Sequence, residues 1–301
     1  MKKIGIVGGV GWRSTVEYYG EICRRANEWH AGKGGGKPST PEIVIESLDL
    51  AKAFAWLGSE TDATSWRRFD DYHRAALWRL ETAGADVALI ASNTSHHRFE
   101  EIVRGVGIPV LSILDAAAEE CQRIRARQAL LLGTALTMRS PRFRAGFARK
   151  GIELAAPASE TLRTKTILLI EELQRGRQKG AAVRMGKIAK ASWRFGGDPV
   201  VCLACTELPL AFPGSMTQPS FRYGGVTYVN TTAAHIAAAL EFIGIPGGRP
   251  NPAPKDPGPE SGRKASVVGS AARGSRATGG AAAADRAAAV ETAATAEITP
   301  A

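Results

Sequence analysis

A chain of 301 residues exceeds one ordinary domain and suits two, and its 44% hydrophobic and 23% charged residues exclude a fibrous or wholly disordered polymer. Lysine and arginine number 39 against 29 acidic residues, a formal charge of +10 that favours anionic partners. The basic residues are scattered and form no nucleic-acid module, and no apolar run approaches the roughly 20 residues of a membrane helix, so a small acidic ligand in the cytoplasm is expected, without nucleic acid or membrane.

In chain order, residues 3–9 (KIGIVGG) read as a strand that ends in the glycine-rich turn GGVGWRST. Gly9 and Gly11 match the first two glycines of a dinucleotide fingerprint, but Ser14 holds the third position and Trp12 intrudes, so the pattern is incomplete. Asp49, after the strand at 42–49, would hold a ribose if a nicotinamide-dependent oxidoreductase were the right reading. The strand at 86–92 runs into SNTSHH, where Ser92, Asn93, Thr94 and His96 offer hydroxyl, amide and imidazole groups beside backbone donors, a suitable setting for a carboxylate. The competing reading is a polar cap on Ser92 or Asn93, with at least one of His96 and His97 facing solvent.

Further strands are expected at 108–113, 129–134, 200–205 and 226–230, with helices in most gaps. Strands apolar along their whole length and separated by helices indicate parallel sheets covered on both faces, an α/β fold. A weak duplication is visible. KIGIV and VALIA each run into a polar turn in the first half, as ALLLG and VVCLA do in the second. Two similar units facing one another would bring the four turns into one cleft at the carboxyl ends of the strands.

Cys205, Thr206 and Glu207 follow the strand at 200–205, where a helix or tight turn should begin and its backbone N–H groups would lower a thiol pKa, although a cysteine there can equally be a small core residue. Cys202 and Cys205 spell C-x-x-C, yet no second ligand pair accompanies them for zinc, and Cys202 lies inside the apolar run and is expected to pack. Reduced thiols are expected for Cys23, Cys121, Cys202 and Cys205. From Gly247 the chain turns to proline, glycine and alanine, so residues 247–301 read as a disordered tail without a catalytic role.

Together, KIGIVGGVGWRSTVEYY, ASNTSHH, GTALTMRS, TKTILLIEELQRG and LACTELPL resemble the aspartate/glutamate racemase family of the Asp/Glu/hydantoin racemase superfamily, from about Met1 to Gly244. The resemblance implies two similar α/β domains, 1–115 plus 218–246 and 116–217, with the active site in the cleft between them. It implies cofactor-independent chemistry, with no metal, pyridoxal phosphate or nicotinamide, and is compatible with a homodimer. Members carry two cysteines on opposite faces of the substrate α-carbon; the second falls on Cys205 and the first on Ser92, where the motif would read Cys-Asn-Thr. Ser14, Thr15, Asn93, Thr94, Thr137 and Thr206 match groups that hold the substrate, and His96 and Glu207 match residues that tune the two sides. Asn230 stands where an aspartate is usual. The expectation is an asymmetric racemase of aspartate, glutamate or a relative. A single-cysteine decarboxylase of a malonate-type substrate and a catalytically dead carboxylate-binding homologue are the alternatives.

Overall fold

A computed structural model describes residues 1–32, 37–59 and 61–246, and the expectation for the tail 247–301 lies outside the described residues. The first half runs β1 (Ile4–Gly8), α1 (Trp12–Ala31), β2 (Ile43–Ser47), α2 (Leu50–Ala55), α3 (Arg67–Thr82), β3 (Val87–Ile90), α4 (Phe99–Ile102) and β4 (Val110–Leu111). The second runs α5 (Ile113–Arg123), β5 (Gln128–Gly133), α6 (Ala135–Arg139), α7 (Pro141–Arg149), β6 (Glu153–Ala155), α8 (Glu160–Gln174), α9 (Ala181–Ser192), β7 (Val200–Ala204), β8 (Ser220–Tyr223) and β9 (Val226–Asn230). A closing helix, α10 (Thr231–Phe242), completes the chain of elements.

The strands form two sheets, ordered β2-β1-β3-β4 and β6-β5-β7-β9-β8. Strands β1 and β3 are buried along their whole length because helices cover both faces of their sheet. On one face α1 and α10 pack Tyr18, Ile22, Ile236 and Leu240 onto Ile4 and Ile6; on the other α3 packs Leu77 and Leu80 with Val7 and Ile90. The second sheet is enclosed in the same way, by α8 and α9 on one face and α5 and α7 on the other. This is the α/β fold of two parallel sheets flanked by helices, with one modification: the edge strand β8 runs antiparallel to β9.

Two short strands lie outside the sequence-based expectation, β6 and β8, each an edge strand in the second sheet. The return to the first sheet also differs from the expected boundary at 218. Tyr228 pairs with Val201 and Phe221 with Tyr228, so residues 220–230 belong to the second sheet. The chain crosses back where Asn230 caps α10 by accepting from the Ala233 N–H at 3.2 Å. Helix α10 is buried on nearly every side because it lies against α1 and the first sheet while also touching α5. The turn after β1 depends on Gly9: its φ is +87°, and a Cβ there would stand 2.1 Å from the Leu48 carbonyl oxygen. Among the described residues, no helix is long and apolar enough to cross a membrane.

Candidate active site

The turns after β1, β3, β5 and β7 open into one cleft between the domains, with a cavity volume of about 200 Å³. This is the carboxyl-end position at which parallel sheets hold ligands. From the first domain it receives Gly11, Arg13 and Ser14, then Ser92, Asn93 and Thr94. The second domain contributes Thr134, the end of α8 at Gln174 and Arg175, and the run Cys205, Thr206 and Glu207. Val10, Trp12, Leu50 and Phe54 form an apolar side.

Cys205 is buried, and its Sγ–H donates to Glu207 Oε2 at 2.9 Å; the Thr206 hydroxyl donates to the same oxygen at 3.1 Å. The thiol thus lies within hydrogen-bond reach of a group able to receive its proton. The helix or tight turn expected here is a short 3-10 turn, Leu208–Ala211, too short to bring an extended helix dipole onto the sulfur. Glu17 on α1, which sequence reasoning passed over, belongs to the same electrostatic group. Burial raises its carboxyl to about 7, with the charges of Glu21 and Glu207 adding to the effect.

The C-x-x-C pair is not a functional unit. Cys202 faces the opposite side of the sheet, where its sulfur lies 3.7 Å from Cys121 in an apolar cluster, whereas Cys205 packs with Leu208 and Phe212. Contact with Cys121, followed by burial, pushes the Cys202 thiol well above its usual value. None of the four cysteines forms a disulfide.

On the other side, Ser92 is buried, and its Oγ accepts the Ser95 N–H at 3.3 Å, so the polar-cap reading holds in part. Asn93 makes no cap bond. Its amide nitrogen is buried with no hydrogen-bond partner among the described residues, while its oxygen lies 3.2 Å from the Thr231 hydroxyl. An orphaned donor at a cleft wall carries an unmet desolvation cost that a ligand oxygen would relieve.

Three expected site residues stand behind the wall instead of on it. Thr15 braces the first turn, with its Oγ1 accepting from Gly9 N at 2.9 Å. Thr137 supports Thr134, their hydroxyl oxygens 2.9 Å apart, and Thr134 is the one that reaches the cleft. His96 donates from Nδ1 to the Ser92 carbonyl at 2.7 Å and accepts at Nε2 from Ile113 N–H at 3.1 Å, so both nitrogens serve the backbone. Burial depresses its pKa to about 4. Neither histidine of the pair is solvent-facing, since His97 is also buried, 2.9 Å from Ser140 Oγ.

His96 belongs to a buried imidazole set with His73 and His235. His73 bonds to the Phe69 carbonyl at 2.8 Å and to Ser95 Oγ at 3.0 Å. His235 bonds to Tyr18 Oη at 2.8 Å and to the Leu111 carbonyl at 2.9 Å. Burial lowers these two rings to about 4 and about 3 respectively. Among the described residues, no group of three or more His, Cys, Asp or Glu is arranged to hold a metal ion.

A family profile for Asp/Glu/hydantoin racemases matches residues 7–239. The structure is similar to that of an aspartate racemase homologue from Pyrococcus horikoshii OT3, at 28% identity and a TM-score of 0.64, over 81% of this chain and 100% of that one. It is also similar to a candidate Asp/Glu racemase from Yersinia pestis, at 26% identity and a TM-score of 0.66, over 80% of this chain and 99% of that one. Aspartate racemase from Picrophilus torridus shares the fold at 19% identity and a TM-score of 0.59, over 81% of this chain and 95% of that one. The profile match extends across both sheets and all four turns of the cleft, and the chain belongs to the Asp/Glu/hydantoin racemase family.

Proposed function

We propose that this protein is a cofactor-independent amino-acid racemase acting on aspartate, glutamate or a related amino acid, with Cys205 and Ser92 on opposite faces of the substrate α-carbon. One observation carries the reading: Cys205 and Ser92 end corresponding strands of the two domains and line the same small cavity, beside the Asn93 amide nitrogen, which has no hydrogen-bond partner among the described residues. The α-carboxylate accepts hydrogen bonds from Asn93, Thr94, Ser14 and the Thr206 backbone N–H, the Thr206 hydroxyl being committed to Glu207. Such fixed donors stabilise the charge that develops on the carboxylate when the α-proton leaves.

On the Cys205 side, the thiol proton passes to Glu207 across their hydrogen bond, and the thiolate takes the α-proton. On the Ser92 side the reacting group is a hydroxyl. No imidazole activates it, because both nitrogens of His96 are committed to the backbone. Ser92, or a water it holds, therefore returns the proton slowly, and Cys205 exchanges the α-proton of one enantiomer more often than the molecule inverts. The equilibrium between free enantiomers remains one to one.

Purified protein incubated with L-aspartate or L-glutamate, without added cofactor, should form the D-enantiomer and lose α-proton signal in heavy water. Absence of both for every amino acid tested would refute the reading. Cys205 is the one cysteine among the described residues that lines the cleft, which supports a second reading as a decarboxylase that protonates an enolate. Carbon dioxide release from a substituted malonate, without amino-acid exchange, would select that alternative.

A further inference from the structure

The turn after β1 delivers a guanidinium to the cleft that the mechanism above does not use. Arg13, in the first turn of α1, lines the cavity and donates from Nη1 to the carbonyl oxygen of Gln174, the last residue of α8, at 2.9 Å. The bond links the two domains across the cleft and places the cation at a helix C-terminus, where backbone carbonyls carry partial negative charge. Its Cζ lies 5.4 Å from the Trp12 ring centroid, within the range at which an aromatic face supports a cation. Arg13 has no carboxylate partner among the described residues. Arg175, the other basic residue at the cleft, already faces Glu171 at 3.6 Å.

The charges in the cleft divide by position. The polar turns at 92–94 and 205–206 suit an α-carboxylate, and the Glu207 side chain at the cleft wall suits an α-ammonium. What remains is a guanidinium with unused N–H groups and, among the described residues, no counter-ion, beside the apolar wall of Trp12, Leu50 and Phe54. A planar fork of donors fits a carboxylate better than it fits an amide or an alkyl chain.

We propose that Arg13 is the specificity-determining residue: held by Gln174, it binds the side-chain carboxylate of an acidic amino acid. The assignment rests on the racemase reading of the same cleft, and it is tested by binding so that the two can fail separately. Calorimetric titration of the full chain with glutamate and with glutamine should show tighter binding of the acid. Arg13→Gln should lower the glutamate-to-glutamine affinity ratio by about 10- to 100-fold, the weight of a charge-assisted hydrogen bond, and Arg13→Lys by less. Arg13→Glu should reverse the preference.

An unchanged ratio in Arg13→Gln, or equal weakening of both ligands in all three variants, would overturn the proposal and leave Arg13 as a tie between domains. A ratio that falls as stated, in a wild-type protein that exchanges no α-proton, would refute the racemase reading and still support Arg13 as the selector.

Discussion

The turns after β3 and β7 occupy equivalent places in the two domains, yet they are built for different tasks. After β7, Cys205 and Thr206 both donate to the carboxylate of Glu207, and the neighbouring Glu17 carboxyl is raised to about 7 by burial and nearby negative charge. After β3, Ser92 sits above His96, whose ring fastens the Ser92 carbonyl to the start of α5, and Ser95 leans on the buried His73. One turn sets a thiol and a hydroxyl on a carboxylate; the other holds neutral imidazoles that fix backbone. Similar strand ends thus need not share chemistry, because the atoms beneath the turn decide whether a titratable group faces substrate or scaffold.

The largest effect expected from this contrast is on stability in acid. His73, His96 and His235 are neutral in the folded state, with pKa values of about 4, about 4 and about 3 against a usual 6.5. Below pH 6.5 the unfolded chain takes up protons first, so stability is full above that value and declines as pH falls toward the folded-state values. At about 1.4 kcal/mol per pH unit, each ring should cost roughly 3 kcal/mol by pH 4. Ring-nitrogen NMR should find the three imidazoles still neutral at about pH 5.5, where a model histidine is mostly charged. Protonated rings in the folded protein at that pH would show the β3 side to be solvent-coupled.

A change that makes the two turns alike should act next most strongly. Ser92→Cys supplies a second thiol facing the same cavity, and inversion should speed up by on the order of 10-fold or more, within the range of a positioned acid or base. Exchange and inversion rates would then converge. An unchanged inversion rate would mean that Ser92 is not the opposing group.

The smallest effect should come from the periphery of the Cys205 turn. Glu17 ionises at about 7 in the fold against an ordinary 4.5, so between those values rising pH charges the unfolded chain first and lowers stability. Glu17→Gln should stabilise the protein by on the order of 1–3 kcal/mol at pH 8 and by little at pH 4. A gain of the same size at both pH values would detach Glu17 from the acidic group.

The features legible in the sequence were those written locally. Apolar runs ending in polar residues marked β1, β3, β5 and β7, and with them Ser92, Asn93, Thr94, Cys205, Thr206 and Glu207 at the cleft. Short spacing could not say which side of a turn looks inward, so Thr15, Thr137 and His96 appeared equivalent to neighbours that reach the cavity. Strands β6 and β8 escaped because their few residues, ELA and SFRY, carry no apolar run, and β8 pairs antiparallel at an edge. Arg13 was invisible among 39 basic residues, since its place follows from the docking of α1 against the end of α8, 161 positions away. Glu17 was hidden for the same reason: its shift depends on burial and on the tertiary approach of Glu207.

The central claim is that Cys205 is the competent acid–base group and Ser92 its weak opposite. Proton NMR in heavy water, following the α-proton of each aspartate and glutamate enantiomer separately, tests it most directly. The account predicts that one enantiomer loses its α-proton much faster than the other, that exchange outpaces inversion, and that Cys205→Ala slows exchange by about 10²- to 10⁴-fold. Equal exchange from both enantiomers of the wild-type protein, or full exchange in Cys205→Ala, would contradict it.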